Sequence, residues 1–152
     1  MTSADSVSRL PHAILLVDDN LHGSVARRRV LLDLGYLVET AACAEEALRI
    51  IAEREHRFDV VVTDFKMISM DGVQLIARLK QISPDTRTIL LSGFVEPLGM
   101  TEASTGADAV IPKCATEVGQ LTRTVKNLLT RRVEKKPPAS VKRAAASVVK
   151  SV

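Results

Sequence analysis

The sequence predicts an α/β fold, a doubly wound sheet of five parallel strands with helices between them. Three observations carry that reading. Five short apolar runs recur along the chain. Stretches with apolar residues at helical spacing separate them. The runs are nearly continuous in Val, Ile, Leu and Ala, as expected for strands buried on both faces. Strands alternating with helices in this way form βαβ units with right-handed crossovers.

Each element can be justified in turn. Residues 1–12 read as a polar leader with no secretion signal. Residues 13–17 (Ala-Ile-Leu-Leu-Val) form the first strand. Residues 21–34 read as a helix, with Val25, Leu31, Leu32 and Leu34 as its inward stripe around Arg27-Arg28-Arg29, and Gly35 as its stop. Residues 37–41 are a short second strand. Residues 44–53 form a helix that turns Ala47, Leu48 and Ile51 inward. Residues 58–63 are the third strand.

Asp71-Gly72 opens a helix over 73–82, with Val73, Ile76, Leu79 and Lys80 at turn spacing. Ser83-Pro84-Asp85 is a turn. Residues 88–91 are the fourth strand. Residues 97–105 read as a weaker helix, because Gly99 and β-branched threonines interrupt it. Residues 106–111 lead into and form the fifth strand. Residues 116–130 form the last helix, with Val118, Leu121, Val125, Leu128 and Leu129 apolar.

Length and composition set further bounds. A chain of 152 residues is one domain by length. With 46% apolar but 3% aromatic residues, its core is aliphatic. Cys43 and Cys114 lack metal or redox spacing and read as free thiols of a reducing, cytoplasmic compartment. No apolar run approaches the ~20 residues that cross a bilayer.

The net charge of +3 hides an asymmetry. Residues 131–152 carry seven Lys/Arg and one acid, net +6, and the preceding 130 residues carry −3. The folded body is mildly acidic, so the basic balance is weak evidence for nucleic-acid binding by that body. Pro137-Pro138 breaks the last helix, and residues 132–152 read as a disordered basic tail.

The strand ends carry the chemistry. Asp18 and Asp19 follow the first strand, and Asp64 follows the third. Ser92 ends the fourth, and Lys113 follows the fifth. Ligands of open α/β sheets bind at the carboxyl ends of strands, so these groups converge on one rim. Clustered carboxylates suit Mg²⁺, and a lysine with a serine suits a phosphoryl group. An aspartate after a strand also commonly caps the next helix, and Ser92 and Lys113 match ordinary turn and solvated residues. No Gly-x-Gly-x-x-Gly or P-loop motif supports nucleotide binding, and adjacent Asp18-Asp19 does not match the Asp-x-Asp of dehalogenase-type phosphohydrolases. His12, His22 and His56 receive no chemical role.

Asp-Asp, Asp, Ser and Lys in this order resemble the receiver domain of two-component response regulators. The surrounding text agrees: Leu15-Leu16-Val17-Asp18-Asp19-Asn20, Val62-Thr63-Asp64-Phe65-Lys66-Met67, Met70-Asp71-Gly72, Leu91-Ser92-Gly93 and Gly106-Ala107-Asp108-Ala109. The resemblance covers residues 13–131. It implies a flavodoxin-like (βα)5 fold with strand order 2-1-3-4-5. It implies that Asp64 is the phosphoacceptor and that Asp18 and Asp19 hold Mg²⁺ with Asp64. Lys66 would lend its carbonyl to the metal, Ser92 would bind a phosphoryl oxygen, and Lys113 would pair with the phosphate. Such a protein is a phosphoacceptor switch that assists its own phosphoryl transfer and hydrolysis, not an enzyme with a separate substrate. Its upstream partner is a histidine kinase or histidine phosphotransfer protein.

Three departures stand out. The family's lysine is usually followed by proline through a cis peptide, whereas this chain reads Pro112-Lys113-Cys114. A cis bond before a non-proline costs about 2.5–4 kcal/mol, so a trans peptide is expected. The family's switch aromatic is replaced by Val110. Phe94 and Lys66 each lie two residues past a rim residue, where they influence access of water. The 22 residues from 131 onward are too few for a DNA-binding module. Output is therefore expected through protein contacts of the fourth helix, fifth strand and fifth helix. The competing reading is a receiver-like module that signals without phosphorylation.

Overall fold

The computed structural model describes residues 11–130. Most of the expected leader and all of the expected tail lie outside these residues. The elements are β1 (Ala13–Val17), α1 (Leu21–Asp33), β2 (Leu37–Ala41), α2 (Ala44–Glu53), β3 (Val60–Asp64), α3 (Gly72–Ile82), β4 (Arg87–Ser92), α4 (Glu102–Thr105), β5 (Ala109–Pro112) and α5 (117–130). The five strands pair in parallel in the order β2-β1-β3-β4-β5.

Alternation along the strands builds two cores. Ile14, Leu16, Val60, Val62, Ile89, Leu91 and Ile111 meet Leu31 of α1 and Leu121, Val125, Leu128 and Leu129 of α5. On the other face Ala13, Leu15, Val17 and Val61 meet Ala44 and Ala47 of α2 and Leu75 and Leu79 of α3. Ile76, Leu90 and Ala107 extend this second face, with Val110 packed against them. Burying each Val, Leu or Ile side chain of these cores contributes about 1.5–3 kcal/mol, and the carboxyl rim of the sheet carries the polar groups.

Local chemistry starts the helices. Asn20 caps α1 by accepting from the N–H groups of His22 and Gly23. Asp71 caps α3 in a reciprocal box with Gln74, both bonds 2.9 Å. Each cap satisfies donors that a helix leaves open at its start.

Several expectations need correction. Of the stripe expected on α1, only Leu31 is buried; Val25, Leu32 and Leu34 are 64%, 37% and 55% exposed. The buried side of α1 is instead Ser24, Arg27 and Leu31. Arg27 turns inward because two carboxylates await it there, as described below. Lys80 on α3 is exposed, and Leu75 takes its place in the core. The helix expected over 97–105 is reduced to the single turn of α4. Gly99 has φ +59°, which breaks the helical path, and Thr101 then caps a new start. β3 begins at Val60, not at Phe58, and ends on Asp64 itself.

Candidate functional site

Strand register brings the rim residues together. Val17 pairs with Thr63, so the next residues, Asp18 and Asp64, lie abreast at the ends of β1 and β3. Asp64 pairs with Leu91, just before Ser92, and Ser92 pairs with Pro112, just before Lys113. The Lys113 N–H donates to the Ser92 carbonyl at 2.9 Å and ties β5's exit to β4.

One carboxylate oxygen from each of Asp18, Asp19 and Asp64 lies within 4.8 Å of the others. Asp18 and Asp64 are buried, and Asp19 is exposed. The helix cap is Asn20, not Asp19, so the capping role that competes for Asp19 in the sequence falls to its neighbour. The Asp18 Oδ1 accepts from the Asn20 N–H at 2.8 Å, which aims the carboxylate.

Lys113 Nζ lies 2.7 Å from Asp64 Oδ1. Burial pushes the Asp64 carboxyl above the ordinary aspartate value. Lys113 opposes that rise, and the Asp18 charge reinforces it. The all-oxygen donor set fits a hard divalent ion such as Mg²⁺.

Ser92 is buried, and its Oγ accepts from the Phe94 N–H at 2.8 Å. Lys66 is exposed on the loop after β3, and its ammonium lies 5.3 Å from the Phe94 ring centre. The Phe94 ring meets Phe65 edge-on at 6.1 Å. These contacts join the loops after β3 and β4 beside Asp64. No cis peptide occurs among the described residues, so the Lys113–Cys114 bond is trans, as expected from its lack of proline. Lys113 nevertheless reaches Asp64.

Sequence reasoning missed two residues of this site. Arg27 donates from Nη1 to Asp18 Oδ2 at 2.5 Å and from Nε to Glu117 Oε2. Burial disfavours the guanidinium charge, but Glu117 and Asp18 outweigh it and raise the Arg27 pKa above its usual value. One signal was present: Arg27 stands four residues before Leu31, on the side of α1 that enters the core.

A family model described as the response regulator receiver domain matches residues 14–126. The chain is 35% identical over 117 residues to the sensor kinase CckA of Brucella abortus, a match covering 76% of this chain and 12% of that kinase. It is 33% identical over 100 residues to a response regulator receiver protein of Anaeromyxobacter, covering 65% of this chain and 41% of that protein. A CheY-like receiver domain protein from Methanospirillum hungatei superposes with a TM-score of 0.74 at 26% identity, covering 84% of this chain and 100% of that one. The response regulator TrrA of Thermotoga maritima, solved in complex with Mg²⁺-BeF, superposes with a TM-score of 0.67 at 26% identity, covering 77% and 98%.

Proposed function

Since this chain belongs to the response regulator receiver domains, the phosphoacceptor switches of two-component signalling, we propose that it accepts one phosphoryl group on Asp64. The observation that carries the assignment is the Lys113–Asp64 contact of 2.7 Å beside the Asp18, Asp19 and Asp64 cluster. Those three carboxylates, with the Lys66 carbonyl as a further oxygen, would hold Mg²⁺, which when bound would supply positive charge to offset that of an anionic donor.

Each side chain then has a defined task. An Asp64 oxygen attacks phosphorus in line, and its O–P bond forms as the P–N bond of a donor histidine breaks. The imidazole leaves with the electron pair. Lys113 moves from the Asp64 carboxylate to a phosphoryl oxygen, where its charge offsets the new anion. Ser92 accepts from the Phe94 N–H and keeps its own proton to donate to another phosphoryl oxygen. Rearrangement of the loop after β4 biases a pre-existing two-state equilibrium.

The donor is a histidine kinase or histidine phosphotransfer protein, and the setting is the cytoplasm. No described helix is long and apolar enough to cross a membrane. Output runs through a protein target that meets α4, β5 and α5. Residues 13–131 are assigned to the receiver and residues 132–152 to a basic segment, and deleting residues 133–152 should leave Asp64 labelling intact.

A second reading, a receiver-like module that signals without phosphorylation, draws on Val110 and the trans Lys113–Cys114 peptide. Incubation with acetyl phosphate and Mg²⁺, followed by intact mass, separates the two. Wild type should gain one phosphoryl group and Asp64→Asn none. Equal labelling of both would remove Asp64 as acceptor, and no labelling of either would favour the second reading.

A further inference from the structure

Arg27 is a buried cation between two buried acids. Its side chain is 9% exposed, those of Asp18 and Glu117 3% and 11%. Gly23, one turn earlier on α1, lies against this contact: a Cβ there would lie 3.3 Å from Arg27 Nη1 and 3.5 Å from Asp18 Oδ2. The guanidinium lies back across α1 onto Asp18 Oδ2, while Asn20 holds Oδ1. A divalent cation entering the pocket must share Asp18 with Arg27. The other partner of Arg27, Glu117, is the first residue of α5. It stands four residues past Lys113, which itself touches Asp64.

We infer that Arg27 is a positioning residue that tunes the metal site and reports its occupancy to α5. It bonds Asp18 and Glu117 together, and yields the Asp18 contact while keeping that to Glu117 when a divalent cation takes Asp18. The inference rests on Asp18 being a metal ligand, as proposed above. Coulomb's law gives its direction. A guanidinium beside Asp18 repels an incoming cation, and the Glu117 charge offsets that repulsion by drawing the guanidinium away. Removing the Glu117 charge should thus weaken cation binding, whereas removing Arg27 should strengthen it. Charge alone gives these signs even in a static triad, so the reporting role is read from the Glu117 and Val118 amides, which a static triad would leave unmoved. The link also gives this chain a route from the pocket to α5 that needs no aromatic at Val110.

The test is a titration of the full chain with MgCl2 alone, followed by amide NMR. In wild type, the amides of Glu117 and Val118 should shift with the same midpoint as those of Asp18 and Asp64. Glu117→Gln should weaken Mg²⁺ binding by about three- to tenfold, the scale of one charge contact near a protein surface. Adding Arg27→Met to Glu117→Gln should restore or exceed wild-type affinity. The double variant leaves no unpaired buried acid at residue 117, and Glu117→Gln tests the idea by itself should Arg27→Met unfold the chain. Unchanged affinity in Glu117→Gln, or silent Glu117 and Val118 amides in wild type, would overturn the inference while leaving Asp64 labelling untouched. Absence of any Mg²⁺ binding by wild type would sink it together with the metal reading.

Discussion

A methyl group on Gly72 would lie 2.4 Å from the carbonyl oxygen of Asp64. The Gly72 N–H also donates to the Phe65 carbonyl at 2.8 Å, so the start of α3 is fastened directly to the exit of β3. The same methyl would meet the Leu90 side chain at 2.8 Å. No real Cβ tolerates a backbone oxygen that close, and one of the two elements must move. Gly72→Ala should therefore lose about 1–3 kcal/mol in chemical denaturation, the usual cost of an overpacked core position. It should also lower any Asp64 labelling, because the backbone that moves carries Asp64. Wild-type stability in this variant would show that α3 and β3 separate without strain.

Asp64 itself should work against the fold at neutral pH. Burial raises its pKa, Lys113 only partly offsets that, and Asp18 adds to it. The folded protein then binds this proton more tightly than the unfolded chain, whose aspartate lies near 3.8. Stability from the group is complete below that value and is lost as pH rises through the higher folded value. Asp64→Asn removes the penalty. Without Mg²⁺ its Tm should exceed that of wild type at pH 7, and the gap should close below the ordinary aspartate range. A lower Tm at pH 7 would mean that the Lys113 pair outweighs the burial.

The rim was legible in the sequence because each of its members ends an apolar run. Register is a property of pairing strands, so Asp18, Asp64, Ser92 and Lys113 had to meet once the strand order was right. Arg27 was not legible in the same way. Within Arg27-Arg28-Arg29 it reads as part of a solvated face, and Val25 and Leu32 offer an apolar stripe that the fold does not use. The structure inverts that choice because Asp18 and Glu117, distant in sequence, both need a counter-charge on the inner side of α1. Propensity also overstated α4: Gly99 and the Thr101 cap confine it to four residues.

Phe94 should control how long a phosphoryl group survives. Its ring is 39% exposed, lies over the Lys66 ammonium and meets the Phe65 edge. All three residues flank Asp64 or Ser92 in the chain, so the Phe94 ring would narrow the approach of solvent between the two loops. Phe94→Ala leaves the aliphatic cores intact and opens that approach to water. After removal of acetyl phosphate, the labelled variant should lose its phosphoryl group several times faster than wild type, followed by intact mass. Equal decay rates would mean that the ring does not limit water.

Lys113 should matter for switching more than for folding. Its side chain is 32% exposed, so its removal takes little apolar area from the core. The Lys113→Ala variant should still fold cooperatively, because the buried Asp64 carboxyl that loses its counter-charge can take up a proton more readily. The ammonium sits 2.7 Å from Asp64 Oδ1, and a phosphoryl group bound there would place an anionic oxygen within its reach. Lys113 is also fastened by its N–H to the Ser92 carbonyl, so a pull on its side chain acts on both β4 and β5. With Mg²⁺ and beryllofluoride, wild type should show amide shifts at Ser92, Val110 and along 117–121. Lys113→Ala should keep the shifts at Asp18 and Asp64, which report binding, and lose those at Val110 and 117–121, which report transmission. Full transmission shifts in the variant would assign the coupling elsewhere, with the Arg27–Glu117 contact as the remaining route from the pocket to α5.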